Sequence, residues 1–491
     1  MNHHLKDIIY LILWRSDIIK TNNVYVGNNI EVLKTFPDDS IDSVVTDPPY
    51  GLGKEPNAIE VLQSWITTGY HEVKGKGFMG KEWDAFVPQP LFWKEIYRVL
   101  IPGGYVLSFA GTRTYDWMVM AVRLAGFEIR DMIAWLYGSG FPKSMDISKA
   151  IDKKLGAERE VVSKGKSGKT SHAFQSEETT TAGEYDITAP STEEAKQWQG
   201  WGTALKPALE PIVMARKPVD GTVAQNVLKH GVGGINIDES RIETDEKTQR
   251  ENKGVEWGNR KNEYYEDREP KIFGSSLGRF PANVIHDGSD EVVSLFPSVG
   301  EGNGDPYNYS GVIYDNKDTS MFNGDKPQAP SNYNDSGSAA RFFYVAKANQ
   351  EERNFGLYDF EKDVVTDGRT KPIDNAFNRG KTKRKNIHPT VKPIDLMRYL
   401  VRLITPKNGI CLDPYLGSGT TAIACEMEKF SWIGIELVPE YAEIAKARIG
   451  AVKDYEATLD TKTIIKESIK EDKEKELGIM NIFDLMEEEI K

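Results

Sequence analysis

The sequence predicts an α/β protein built on a mostly parallel sheet, and three observations carry that expectation. Short apolar runs alternate with stretches of helical spacing over residues 24–136 and again over 388–450. Two of those runs end in stiff or glycine-rich loops, the places where open α/β sheets bind ligands. The composition is 39% hydrophobic and 28% charged over 491 residues. That supports a full-sized core and two to four structural units at about 150 residues each.

The same sequence excludes several classes. No collagen-like period, heptad array or repeat of 20–50 residues is visible, so fibrous and solenoid forms drop out. The longest apolar run near the start, residues 8–14, is far shorter than the roughly 20 residues of a membrane helix. Arg15-Ser16-Asp17 follows it without a small-residue cleavage site, so neither a span nor a signal peptide is expected. Two cysteines, Cys411 and Cys425, make neither a disulfide framework nor a four-cysteine zinc site. Cytoplasm is the expected compartment, with no membrane and no metal. A net charge of −12 argues against a uniformly basic nucleic-acid coat, while leaving room for local clusters of cations.

In chain order, 24–26 and 41–46 read as strands, with a helical turn over 30–36 between them. Residues 91–101 have helical spacing and Pro102-Gly103-Gly104 stops them. A strand over 105–110, a helix over 115–125 and a strand over 127–136 follow. Residues 163–197, rich in Ser, Thr, Gly and Glu, read as a mobile loop. Residues 211–216 return to strand character. From 218 to 385 the alternation is lost and turn dipeptides abound. Order resumes with helix 394–404, strand 410–412, helix 420–428 and strand 432–435. The implied units are an N-terminal extension (1–23), a first half of the sheet domain (24–217), an irregular α+β insert (218–385), a second half (386–450) and a charged helical tail (451–491).

Two loops carry the chemistry. Asp47-Pro48-Pro49-Tyr50 follows the 41–46 strand; each proline fixes its φ and removes an N–H, so a carboxylate, free carbonyl oxygens and an aromatic face stand on a stiff loop. That set suits an amino group on a planar ring, with two acceptors for its hydrogens and a tyrosine to stack on. The bland reading is a proline turn with an Asp cap. Leu412-Asp413-Pro414-Tyr415-Leu416-Gly417-Ser418-Gly419-Thr420-Thr421 runs from a strand through a glycine turn into a helix N-terminus. Glu436 ends the next strand, 17 residues beyond Gly419, near the spacing at which an acid meets ribose hydroxyls. A full G-x-G-x-x-G fingerprint is absent. Gly75–Glu82 approaches a P-loop, but Glu82 stands where Ser or Thr belongs.

Together these motifs resemble the amino-group DNA methyltransferases, in the motif-permuted β arrangement found in phage- and prophage-type members. Asp47–Tyr50 resembles their catalytic motif, Asp413–Gly419 their cofactor motif, and His388-Pro389-Thr390-Val391-Lys392-Pro393 the segment preceding the cofactor strand. The segments Phe141-Pro142-Lys143-Ser144, 200–207 and Glu210-Pro211 are similar as well. The resemblance covers roughly 24–217 and 339–450, and implies a Rossmann-like S-adenosylmethionine-dependent sheet with helices on both faces and a target-recognition insert. It implies catalytic roles for Asp47, Pro48, Pro49 and Tyr50. Cofactor contacts are implied from Asn28, Thr390, Lys392, Asp413, Tyr415, Gly417, Ser418, Gly419, Thr420 and Glu436. One departure is Asn28, where the family usually has an acid that binds the cofactor's adenine amine. The amide oxygen of Asn28 still accepts, without charge assistance.

The implied partner is double-stranded DNA, with a homodimer as a candidate assembly in a bacterial or phage-encoded setting. Methylation of adenine N6 is expected ahead of cytosine N4, because Asp-Pro-Pro-Tyr accompanies adenine more often in the resembling family. The rivals are a methyltransferase acting on an RNA base or a protein amide, and a non-catalytic nucleic-acid-binding partner. Five cations, Arg379, Lys381, Lys383, Arg384 and Lys385, read either as a phosphate-contacting cluster or as a solvated linker. Residues 81–84 read as the border of the target base or as a surface loop. Tyr307, Tyr309 and Tyr314 read as base-stacking or ordinary loop residues. Cys411 and Cys425 read as core residues, which leaves cytosine C5 chemistry without a nucleophile.

Overall fold

The computed structural model describes residues 19–73, 75, 77, 84–140, 144–166, 184–244, 250–252, 271–273, 275–299, 337–346, 350–361, 363–365, 382–457 and 459. Strand β1 (Asn23–Val26) leads into helix α1 (Asn29–Leu33) and strand β2 (Ile41–Thr46). Helices α2 (Ala58–Thr67) and α3 (Pro90–Val99) precede strand β3 (Leu100–Phe109), helix α4 (Tyr115–Leu124) and strand β4 (Glu128–Leu136). Strands β5 (Leu209–Arg216), β6 (Val284–His286) and β7 (Tyr344–Val345) follow. The chain then forms helix α5 (Ile394–Ile404), strand β8 (Ile410–Asp413), helix α6 (Thr420–Glu428), strand β9 (Ser431–Glu436) and helix α7 (Pro439–Gly450).

These nine strands form one sheet in the order β1-β9-β8-β2-β3-β5-β4-β6-β7. All neighbouring pairs are parallel except those of β5, which runs against both β3 and β4. The expected α/β sheet is therefore present, with one reversed strand that the sequence pattern does not distinguish. The sheet also joins the two ends of the chain: Cys411 lies opposite Ser43 and Leu412 opposite Val44, although more than 360 residues separate them.

Period-two alternation sends successive side chains to opposite faces and gives the sheet two cores. Val44, Val106, Val213 and Leu412 point to one face, where Leu33 of α1, Trp65 of α2, Trp93 and Ile96 of α3 and Met118 of α4 cover them. Val45, Leu107, Ile212 and Cys411 point to the other, beneath Leu396 and Leu400 of α5, Ala422 and Cys425 of α6 and Ala445 of α7. Both cysteines are buried and free. Among the described residues no helix is long and apolar enough to cross a membrane.

Several expectations need correcting. Pro102-Gly103-Gly104 does not separate helix from strand; β3 begins at Leu100 and passes through the three residues, because Gly103 adopts φ 83° and the register with β2 shifts there. The described ends of the stretch 163–197 hold structure: strands Val161–Lys166 and Glu184–Thr188 pair antiparallel and a short helix spans Glu193–Gln197, while 167–183 lie outside the described residues. The buried Asp152 carboxylate anchors this lobe, accepting from the backbone N–H groups of Ser191 and Thr192 and from the Arg159 guanidinium at 2.6 Å. The 218–385 stretch supplies β6 and β7 to the main sheet, and its strands of two or three residues are too short to show alternation. It also opens with a helix over Val223–His230, started by a capping box between Thr222 and Gln225. The tail is not solvated from its start, since Ala451, Val452 and Tyr455 are buried against Phe355 and Ile394. Tyr307, Tyr309, Tyr314, Arg379 and Lys381 lie outside the described residues.

Candidate active site

The catalytic loop leaves β2 at the carboxyl end of the sheet and is held from behind. The Asp84 carboxylate accepts from the backbone N–H groups of Tyr50 (3.0 Å) and Gly51 (3.1 Å), and the Thr114 hydroxyl donates to the Tyr50 carbonyl. Asp84 is 3% exposed, so this clamp lies under the loop. The expectation for residues 81–84 thus resolves at Asp84 into support for the loop, while 81–83 fall outside the described residues.

In front of the loop four side chains form a knot. The Tyr50 hydroxyl lies 2.9 Å from Asp47 Oδ1 and 2.8 Å from Glu210 Oε2. The Lys392 ammonium donates to Tyr50 (2.9 Å) and to Glu210 Oε2 (2.8 Å), and lies 3.0 Å from Asp47 Oδ2. It also sits 4.6 Å from the centre of the Phe109 ring. Burial disfavours the Lys392 charge, but the Asp47 and Glu210 carboxylates outweigh it and raise its pKa above the ordinary value. Burial, with the same two carboxylates beside it, holds the Tyr50 hydroxyl well above the usual phenol range. Lys392 therefore bonds the side chains of the catalytic loop from within the cavity that the cofactor turn also lines.

The cofactor turn is built by its own carboxylates. Asp413 is buried, and its oxygens accept from the hydroxyls of Thr46 (2.7 Å) and Thr421 (2.5 Å) and from the Tyr415 N–H (3.1 Å). Burial pushes its pKa up to about 6 despite these donors. Its first task is to close the loop. Gly417 (φ 54°) and Gly419 (φ 87°) occupy the left-handed region that favours glycine. A side chain on Gly417 would meet the His388 ring at 2.7 Å. Gly419 caps α6, whose first N–H groups have no partner within the helix. At the end of β9 the Glu436 carboxylate accepts from the N–H groups of Gly417 (2.8 Å) and Val438 (2.9 Å). Burial raises its pKa to about 7.

The remaining residues divide. Tyr415 packs its ring on Phe92, 5.2 Å between centres. The fully buried Arg448 donates to the Ser418 hydroxyl (2.9 Å) and the Thr420 hydroxyl (3.3 Å), fixing both from below. Thr390 is exposed, and its carbonyl meets His388 Nδ1. Burial takes His388 down to about 4, so the ring is neutral, with Nδ1 donating to Thr390. Asn28 departs from the expectation. Its amide oxygen accepts from the N–H groups of Ile30 (3.0 Å) and Glu31 (3.4 Å) as the N-cap of α1, so the group it leaves toward the cavity is the NH₂ donor. Lys385 donates to the carbonyls of Leu357 (2.9 Å) and Tyr358 (2.8 Å), which ties down its segment. Lys383 and Arg384 lie on a strand, Thr382–Arg384, paired with Asp363–Val365. Among the described residues no group of three His, Cys, Asp or Glu side chains could hold a metal ion.

One cavity of about 670 Å³ joins both halves, lined by Asn28, Asp47, Pro48, Pro49, Tyr50, Glu210, Lys392, Gly417, Ser418 and Glu436 among others. Sequence reasoning gave Glu210 no role, naming it only within the similar segment Glu210-Pro211, and read Asp84 at the target base or on a surface loop rather than beneath the catalytic loop. A further signal for Glu210 is its place as an acid opening the 211–216 strand run, and it enters the site because the reversed β5 starts at the carboxyl end of its neighbours.

A sequence model of the family described as DNA methylase matches residues 41–447. The chain is 31% identical over 109 residues to the Type II methyltransferase M.Cfr9I of Citrobacter freundii, covering 22% of this chain and 32% of that protein. It is 32% identical over 131 residues to M2.MboI of Moraxella bovis, covering 25% and 46%, and 26% identical over 233 residues to M.HindIII of Haemophilus influenzae, covering 43% and 64%. The chain thus spans between 32% and 64% of the length of these relatives. Among solved structures, the M1.HpyAVI–SAM complex is 13% identical with a TM-score of 0.32, covering 87% of this chain and 98% of that one. The match spans both loops, from the start of β2 into α7, and places this chain in the DNA methylase family.

Proposed function

We propose that the chain transfers a methyl group from S-adenosylmethionine to the exocyclic amine of a base in double-stranded DNA, adenine N6 in first place. The observation that carries this is the single cavity in which the Asp47–Tyr50 loop faces the Gly417–Gly419 turn and Glu436, brought together by the pairing of β2 with β8. The residues fit the cofactor. A glycine turn, a helix N-terminus and a strand-end carboxylate suit an amino-acid carboxylate and a ribose diol.

The chemistry supplied by the bound cofactor is an electrophilic methyl on sulfur. Asp47 and the Pro48 carbonyl accept from the target amine, draw its lone pair out of conjugation with the ring and stabilise the charge that develops on nitrogen. Tyr50 offers its ring to a base turned out of the duplex. Lys392, 3.0 Å from Asp47 Oδ2, orients the carboxylate as an acceptor for the amine and for the proton released as the methyl's bond to sulfur is exchanged for one to nitrogen. His388, neutral and fixed through Nδ1, shapes the cavity wall beside Gly417.

Sequence choice is assigned to the 218–385 segment, with Lys381, Lys383 and Arg384 on DNA phosphates; Lys385 is already bound to carbonyls and belongs to the scaffold. The Type II methyltransferases among the relatives support a restriction–modification setting. The test is to supply labelled S-adenosylmethionine with duplex DNA, RNA or protein, and to analyse nucleosides from cells expressing the chain by mass spectrometry. N6-methyladenine is the expected product. N4-methylcytosine alone would replace the base while leaving the site assignment intact, and transfer only to RNA or protein would overturn the reading.

A further inference from the structure

In the knot described above, both oxygens of Asp47 are already engaged, Oδ1 by the Tyr50 hydroxyl and Oδ2 by Lys392. A target amine that bonds Asp47 must share one of these oxygens or displace its partner, and it shares best where that partner can turn to another acceptor. Lys392 is the harder to move, because it is 9% exposed and held by two carboxylates and a phenol oxygen. The Tyr50 hydroxyl has a single hydrogen and two acceptors at nearly equal range, Asp47 Oδ1 at 2.9 Å and Glu210 Oε2 at 2.8 Å.

We infer that Glu210 is a positioning residue that draws the Tyr50 hydroxyl hydrogen away from Asp47, freeing Oδ1 for the amine of the incoming base. The role rests on the proposed reading of the site as one that methylates an amine. Before the base arrives, the hydroxyl satisfies both carboxylates in turn and keeps the ring oriented. When the base arrives, the hydrogen settles on Glu210, and the ring stays in place to stack. The cavity therefore never holds an unpaired Asp47 oxygen, nor a buried phenol without a partner.

The consequence is a specific non-additivity. With Glu210→Ala the Tyr50 hydroxyl has only Asp47 to bond and competes with the substrate. The expected loss is about tenfold to a hundredfold in kcat/KM for DNA, the range for one hydrogen bond to a charged partner. S-adenosylmethionine affinity by calorimetry should stay within about twofold, since Glu210 stands on the catalytic side. Glu210→Gln keeps an acceptor and should recover most of the loss. Tyr50→Phe removes the competing hydroxyl, so Tyr50→Phe combined with Glu210→Ala should be as active as Tyr50→Phe alone.

The same four proteins, free of ligand, form a double-mutant cycle in chemical denaturation, and the Tyr50–Glu210 bond should appear as coupling there. Additive losses in kcat/KM with an active wild type would sink this inference alone. Additive stability changes would show that the hydroxyl never reaches Glu210, and would sink it as well. A wild-type chain that methylates no DNA would overturn the functional reading and the gating role with it, even if the stability coupling remained.

Discussion

Asp47 works because its neighbours decide its free direction, and in two further carboxyl or amide groups of the cavity the surroundings likewise decide what each can offer. Asp47→Ala is expected to abolish methyl transfer while S-adenosylmethionine still binds, because Asp413, Gly417 and Glu436 form a separate wall. Loss of cofactor binding in calorimetry would contradict that division. At position 28 the cap uses the amide oxygen, so Asn28→Asp supplies a second oxygen to the cavity without losing the cap. The expected result is S-adenosylmethionine binding tighter by about threefold to tenfold, as a charge-assisted bond is roughly twice as strong as a neutral one. Unchanged affinity would remove residue 28 from the cofactor site. Glu436 adds a pH dependence. Its folded pKa, about 7, lies above the ordinary 4.5, so its contribution to stability is present at low pH and is lost as pH rises through 7. Hydroxyl donors need the ionised form, so binding should run the other way. Kd should rise by about tenfold from pH 8 to pH 6, where one carboxylate in ten stays ionised. Asp413 titrates nearby at about 6, so Glu436→Gln is the control. A titration as steep in Glu436→Gln as in the wild type would assign the effect elsewhere.

At the scale of elements, what was legible in the sequence was local. The proline loop and the glycine turn announce themselves because their backbone demands fall on consecutive residues, and the flanking strands alternate strongly enough to be read. The Glu210–Lys392–Tyr50 knot was not legible, because its members are 160 and 342 residues from one another and meet only through the reversed β5 and the approach to α5. The start of β3 is hidden because Pro102-Gly103-Gly104 reads as a stop, whereas Gly103 forms a bulge between two hydrogen bonds to Lys217. Gly419 illustrates the legible kind. A Cβ there would stand 3.0 Å from Ala445 at a left-handed φ, so Gly419→Val should displace the start of α6 and remove cofactor binding before it unfolds the protein. Retained S-adenosylmethionine affinity in that variant would contradict the role of the turn. The basic run is a different case, because Lys385 at its end bonds two carbonyls of the scaffold. Neutralising Lys381, Lys383 and Arg384 should flatten the salt dependence of DNA binding by about two to three units of slope, at roughly 0.9 per phosphate contact. Lys385→Ala should instead lower the melting temperature with little change in slope, since its ammonium holds two carbonyls. An unchanged slope in the triple variant would return those cations to the solvated linker.

Across the whole molecule, the cofactor half is held from beneath by a buried cation and by the turns that follow α7. Arg448 is fully buried and donates to the Ser418 carbonyl and to the Glu352 carbonyl (2.9 Å), so one guanidinium ties the glycine turn to the 350–354 helix at the end of the insert. Glu352 accepts from the Ile394 N–H (3.0 Å) at the start of α5 and from the Tyr455 hydroxyl (3.3 Å), and burial raises its pKa to about 7. Tyr455 packs its ring on Phe355 at 4.6 Å, within the cluster that includes Ala451, Val452 and Ile423. A charged tail read from composition thus begins with a packed apolar turn, because three small or aromatic residues are enough to cover the back of α6. Ending the chain at Gly450 would strip that cover and leave Glu352 without the phenol, so the truncated protein should lose about 3–5 kcal/mol, the range for removing a large core side chain. Tyr455→Ala should reproduce most of the loss, and Tyr455→Phe only about 0.5–1.5 kcal/mol, the worth of one hydrogen bond. A chain ending at residue 459 keeps the packed turns and should retain both its denaturation midpoint and its methyl transfer. If the Gly450 truncation unfolds at the wild-type denaturant concentration, the turns after α7 carry no stability, and the cofactor turn must be held by Arg448 alone.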